Sequence, residues 1–177
     1  MNAISTARIT LEPVAAHHAA LMFDGLQDHR AYAYLPDAPP SSIGALESRY
    51  ARLATGVSHD GREFWLNWML RLSGTSSYIG YVQATIIRDE AASLVAYHVF
   101  PPFWRSGYGG EAVLGMLNMI RTCYDLDEAR AYVDTRNSAS LKLLERLGFR
   151  LSSMIANAET IHGMPSDEYL YIQRFNA

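Results

Sequence analysis

The sequence predicts an α/β (α+β) domain built on one mixed sheet, and three observations carry that reading. Aromatic and β-branched runs at 64–72, 78–87 and 93–100 follow one another across short polar breaks. A strongly apolar helical stretch, 107–124, joins the third run to another strand at 129–135. Helical and strand patterns alternate at a few points along the chain, which suits helices packed on a sheet.

The elements follow in order. Residues 8–12 alternate like a short strand that Pro13 ends, and 14–26 read as a helix with Ala19, Leu21, Met22 and Leu26 as its buried stripe. Pro36, Pro39 and Pro40 make 32–42 an irregular loop. Ser42 is placed to cap a helix reaching about residue 54, in which Ile43, Leu46, Tyr50 and Leu53 recur at helical spacing. Ser73-Gly74-Thr75 and Arg88-Asp89-Glu90 are hairpin-length breaks, so the three central runs form an antiparallel meander. Helix 107–124 makes a crossover, which predicts strands 93–100 and 129–135 as parallel neighbours. A short amphipathic helix at 138–147 stops at Gly148, and strands near 149–156 and 168–175 close the chain.

Bulk composition narrows the function. A length of 177 residues suits a single domain, 1–177, with its own core. Fifteen basic against 18 acidic residues, net charge −3, give no electrostatic footprint for nucleic acid. Cys123 is the only cysteine, which excludes an internal disulfide; no Cys/His metal-ligand spacing occurs, so no metal is expected. Its place late in an apolar helix predicts a buried thiol. Residues 1–10 lack the apolar run of a signal peptide, and no window approaches the roughly 18 apolar residues of a membrane span. A cytoplasmic protein without membrane association is therefore expected.

The chemistry concentrates at Trp104-Arg105-Ser106-Gly107-Tyr108-Gly109-Gly110, between strand 93–100 and the long helix. Closely spaced glycines let successive backbone N–H groups converge on an anion, and the positive end of the helix dipole points into the same turn. A pyrophosphate fits such a place, although a glycine-rich stretch by itself is more readily a flexible turn. A P-loop needs Gly-Lys-Ser/Thr, and no Lys is present; the dinucleotide fingerprint needs a different spacing.

Pro101-Pro102-Phe103-Trp104-Arg105-Ser106-Gly107-Tyr108-Gly109-Gly110-Glu111-Ala112 resembles the coenzyme A loop of GNAT acetyltransferases, Gln/Arg-x-x-Gly-x-Gly/Ala. Trp104 departs from the general form and is similar to the RimJ/RimL branch, the ribosomal-protein N-terminal acetyltransferases. A second segment, Asn137-Ser138-Ala139-Ser140 through Leu147-Gly148-Phe149, resembles that family's Asn-x-x-Ser…Leu-Gly-Phe pattern. The likeness extends to Arg8 through Leu11, to Tyr78-Ile79-Gly80 and to Asp167-Glu168-Tyr169, and so covers nearly the whole chain.

The resemblance implies a mostly antiparallel twisted sheet whose central parallel pair splays around coenzyme A, with helices on both faces. It implies acetyl-CoA as cosubstrate, held by Trp104, Arg105, Ser106, Gly107, Tyr108, Gly109 and Gly110. Backbone groups near Val99 and Phe100 would bind the pantetheine arm, with the Val99 N–H toward the thioester oxygen, unless they pair in an ordinary ladder. Asn137 serves as helix cap, coenzyme ligand or both, and Ser140 donates a proton to the leaving thiolate. Glu159 is similar to a RimL glutamate that acts through water on the amine; a solvated hairpin acid is the other reading, and His98 is the competing base. Tyr34, Tyr97 and His98, with Tyr32, Trp65 and Trp68, are candidates to wall an acceptor cleft; core packing is the other role open to each aromatic. The implied acceptor is the N-terminal amine of a protein or peptide. A small-molecule amine, and a domain that senses acyl-CoA without turnover, are the alternatives; either a monomer or a homodimer is compatible.

Overall fold

The computed structural model describes residues 1–175. Its strands are β1 (Ile4–Ser5), β2 (Ile9–Pro13), β3 (Glu63–Leu72), β4 (Tyr78–Ile87), β5 (Ala92–Val99), β6 (Glu128–Asp134), β7 (Arg150–Ile161) and β8 (Met164–Arg174). Its α-helices are α1 (His18–Met22), α2 (Ile43–Leu53), α3 (Tyr108–Cys123) and α4 (Ser138–Arg146). The strands form one sheet in the order β1-β2-β3-β4-β5-β6-β8-β7, antiparallel throughout except for β5 beside β6. The predicted meander and its parallel neighbour are both present.

Side-chain alternation sorts the core into two layers. Leu66, Trp68 and Leu70 of β3, Val82 of β4 and Val95 of β5 pack with Val113, Met116 and Ile120 of α3 and Leu144 of α4. On the opposite face, Met69 and Phe100 pack with Met22 of α1 and Leu46 and Tyr50 of α2. Ser42 caps α2 as predicted, its hydroxyl accepting the Ala45 N–H at 3.1 Å. Among the described residues no helix is long and apolar enough to cross a membrane.

Three expectations change. The helix predicted over 14–26 shrinks to five residues followed by a 3-10 turn, Gly25–Gln27. No side chain caps it, and the chain turns at Gly25, where a Cβ would lie 2.1 Å from the Phe100 ring. Leu21 is consequently 51% exposed, while Ala19, Met22 and Leu26 are buried. Cys123 is exposed, because it is the last residue of α3 and lies past the buried stripe that ends at Ile120. The closing hairpin is longer than predicted, and a register shift between Ile155 and Glu159 bulges β7 at Asn157, whose N–H is taken by Asp167 Oδ1 at 2.8 Å.

The parallel pair positions the site. Strands β5 and β6 are bonded only at Ala92↔Glu128, Ser93↔Ala129 and Leu94↔Arg130. Beyond Leu94 the strands part, and a wedge opens toward Val99 and Asp134 at their C-terminal ends.

Candidate active site

The glycine turn sits at the mouth of this wedge. Gly107 caps α3 in the left-handed region, φ +82, where a side chain is strained. The N–H groups of residues 107–110 precede the first intrahelical bond, from Glu111 N to Gly107 O, and no other group among the described residues accepts from them. Four donors at the positive end of a helix constitute an anion site. Arg105 makes no hydrogen bond or ion pair among the described residues and is exposed, so its charge is available there.

A brace from the turn between β1 and β2 fixes the glycine turn, and no sequence pattern linked the two. Arg8 Nε pairs with Glu111 Oε2 at 2.7 Å, and Arg8 Nη1 donates to the Ser106 carbonyl at 2.9 Å. Thr6 Oγ1 and the Arg8 N–H both donate to Glu111 Oε1, at 2.6 and 2.7 Å. The Arg8 guanidinium also lies 4.6 Å from the centre of the Tyr108 ring. Because the Ser106–Gly107 peptide is planar and trans, holding the carbonyl on the Arg8 side turns the Gly107 N–H away from Arg8. Burial alone would raise the Glu111 pKa, but its bonds to Thr6 and Arg8 outweigh this and lower it, so the carboxylate stays committed to the brace.

Along β5 the backbone alternates between its two neighbours. The Phe100 N–H donates to Ile79 O at 2.8 Å, so Val99, one residue earlier, directs its N–H and carbonyl into the wedge. The Val99 N–H has no acceptor among the described residues, while its carbonyl accepts the Trp104 indole N–H at 2.6 Å. One expectation is corrected here. Phe100 offers no free backbone group, since its carbonyl also accepts from Phe103 N, and its ring is buried in the smaller core. The Trp104 N–H is spent on Val99, so this indole ties off the end of β5 while its ring stays exposed at the turn.

Helix α4 closes the wedge on the α3 side. Asn137 caps it, Oδ1 accepting the Ser140 N–H at 3.1 Å, which leaves the side-chain NH2 uncommitted among the described residues. Ser140 Oγ lies 2.6 Å from the Tyr97 hydroxyl. Tyr97, expected in the acceptor cleft, instead points to the same face as Val95 and Val99 and meets α4. Burial raises the Tyr97 pKa, and the hydrogen bond to Ser140 opposes that rise.

The other face of the wedge carries different chemistry. His98 is buried under Tyr81 (ring centres 5.1 Å apart, stacked) and beside Tyr32 at 5.5 Å, and its Nε2 has no hydrogen-bond partner among the described residues. Burial lowers its pKa to about 4, with Asp37 opposing weakly, so His98 is neutral at physiological pH and a poor base. Trp68 is wholly buried, Trp65 donates to Glu63 Oε2 at 2.9 Å, and Tyr32 donates to Leu26 O at 2.9 Å; these are structural aromatics. Tyr34 is exposed on its loop. Glu159 is exposed and pairs in register with Ser166, on the same face as Glu168 two residues on. The Glu168 pKa is raised, first by burial and then by Glu159 and Asp134. Asp134 is buried and held at about 2, chiefly by its bonds to Arg136, with Ser166 also donating to it. The hairpin turn reaches the α1–α2 loop, where His162 Nε2 lies 3.2 Å from the Tyr32 carbonyl.

Comparison with known proteins agrees with this arrangement. The model of a family described as acetyltransferase (GNAT) domain matches residues 8–150. The chain is 22% identical over 172 residues to p20, an uncharacterised N-acetyltransferase of Bacillus licheniformis, covering 97% of this chain and 95% of that protein. It superposes on RimL, a ribosomal L7/L12 alpha-N-protein acetyltransferase solved with coenzyme A, with a TM-score of 0.88 at 15% identity over 99% of each chain. A ribosomal-protein-S5-alanine acetyltransferase from Vibrio fischeri gives a TM-score of 0.86 at 16% identity, covering 99% of this chain and 98% of that one. The matched stretch spans the glycine turn, the wedge and α4, and the chain belongs to the GNAT family of N-acetyltransferases.

Proposed function

We propose that this protein is a cytoplasmic, single-domain enzyme that moves the acetyl group of acetyl-CoA onto the N-terminal amine of a protein or peptide. The observation that carries the reading is the division of the wedge. Anion donors, the free Val99 N–H and the Ser140 hydroxyl lie on the α3/α4 side, and the carboxylates Glu159 and Glu168 lie on the other.

The roles follow from that division. The N–H groups of 107–110, with Arg105, hold the pyrophosphate, and the spare Asn137 amide is a further donor to the coenzyme. The Val99 N–H points where the thioester oxygen gains charge. Glu159, through water, takes the amine proton; an α-amino group with pKa near 8 needs only modest help. Ser140 protonates the sulfur as the C–S bond breaks. RimL and the S5-alanine acetyltransferase, with the same fold, support a protein N-terminus as acceptor. Glu159 beside Glu168 also suits a small cationic amine, which is the second reading.

A thiol-release assay with acetyl-CoA against N-terminal peptides and small polyamines separates the two. Turnover with peptides carrying a free α-amine, and none with α-acetylated peptides, is the expected result. Turnover with polyamines alone moves the acceptor to small molecules, and coenzyme binding without turnover on the whole panel reduces the protein to an acyl-CoA sensor.

A further inference from the structure

We propose that the proton delivered to the leaving sulfur originates on the phenol of Tyr97 and passes through the Ser140 hydroxyl, the two side chains forming one relay across the wedge. The inference rests on the reading of Ser140 as the acid. The geometry is direct: Tyr97, on β5 two residues before Val99, places its hydroxyl 2.6 Å from Ser140 Oγ on the first turn of α4. That contact joins the strand whose N–H faces the thioester to the helix that holds the acid. Asn137 fixes the other side of Ser140 by accepting its backbone N–H.

The chemistry explains why a phenol belongs behind the serine. An aliphatic hydroxyl is a far weaker acid than a phenol, so serine acting alone would be left as an alkoxide. With Tyr97 behind it, the amine nitrogen bonds to the carbonyl carbon, the C–S bond breaks and its electron pair goes to sulfur. The Ser140 proton moves to sulfur, the Tyr97 proton moves to Ser140 Oγ, and the negative charge ends on a phenolate. Water then reprotonates Tyr97 with the equivalent of the proton that the amine gave up, so nothing is consumed. Partial burial of the phenol keeps it protonated over the working pH range.

Tyr97→Phe, Ser140→Ala and the double variant test the relay, with the best amine of the acceptor panel. Tyr97→Phe is expected to lower kcat on the order of 10²-fold while KM for acetyl-CoA stays within about twofold. The double variant is expected to be no slower than Ser140→Ala, because groups acting as a unit are not additive. Full kcat in Tyr97→Phe alongside a slow Ser140→Ala overturns the relay and leaves Ser140 as the acid. Additive losses overturn it too, and full kcat in both variants removes the acid role of Ser140 as well. A turnover-independent readout is the ionisation of the thiol of bound coenzyme A, followed by thiolate absorbance. Tyr97→Phe is expected to raise that pKa by about 0.5 to 1 unit, since it removes a donor that supports the thiolate through Ser140. An unchanged thiol pKa overturns the proposal whatever the acceptor.

Discussion

The two faces of the wedge are built on opposite principles. On the α3/α4 side the groups other than Arg105 are held by second ones: Arg8 and Glu111 brace the turn, Trp104 ties off Val99, Asn137 fixes Ser140, and Tyr97 backs it. The working donors are largely backbone N–H groups, whose direction is set by helix and strand geometry. On the other side, an exposed tyrosine, two neighbouring carboxylates and a proline-rich loop stand with few mutual bonds, over a buried, neutral histidine. In the proposed function, preorganisation thus lies with the side assigned to the coenzyme, which every turnover shares, and adaptability with the side assigned to the acceptor.

The strongest way to break this contrast is to destroy the coenzyme side. Gly107→Val with Gly109→Val places β-branched side chains where φ is +82 and where a Cβ would lie 3.1 Å from Leu143 Cδ1. We expect acetyl-CoA binding to vanish by calorimetry while a cooperative thermal transition remains; normal binding would put the coenzyme elsewhere. Next in size, Glu159→Gln is expected to lower kcat on the order of 10²-fold with little change in KM for acetyl-CoA. Unchanged turnover in Glu159→Gln together with a comparable loss in Glu168→Gln would move the base from β7 to β8.

A third measurement asks whether the acceptor side carries the pH sensitivity of the fold. His98 has a folded pKa near 4 against about 6.5 unfolded, so only the unfolded chain binds a proton between those values. Its contribution to stability is intact above pH 6.5 and is lost as pH falls toward 4, by about 2 to 3 kcal/mol. In urea melts at pH 7 and pH 4.5, His98→Phe should show a correspondingly smaller loss than the wild type; an equal loss would assign the acid sensitivity to other groups. The smallest effect is expected from Arg8→Met, which releases the Ser106 carbonyl. The partner pair is partly exposed, so we predict about a three- to tenfold rise in KM for acetyl-CoA with kcat nearly constant. A kcat effect larger than the KM effect would mean that the brace also aligns the thioester.

How much was legible follows the same division. The meander, α3 and the glycine turn were readable because they depend on local patterns: period-2 aromatics, a 3.6-residue apolar stripe and glycines at a helix start. The helix over 14–26 was misread since periodicity could not show that Gly25 meets the Phe100 ring. Cys123 was misplaced because a stripe does not reveal where its helix outruns the sheet. Tyr97 read as an acceptor contact and Phe100 as a coenzyme contact, whereas strand parity sends Tyr97 to Ser140 and the Phe100 N–H to Ile79. Arg8 and Glu111 lie in segments that carry the resemblance, but their pairing, and the part of Thr6 in it, was not visible, because the partners are about a hundred residues apart and joined only by folding.

By itself, then, the sequence determined the meander, α2, α3, α4, the family resemblance and the donor-rich character of the glycine turn, since these depend on neighbours within a few residues. Tertiary structure alone decided which backbone groups face the wedge, which hydroxyl stands behind Ser140 and which carboxylates share the face opposite α3 and α4. Those facts depend on strand parity and on where β5 parts from β6 after Leu94, and both are set by pairing between distant segments.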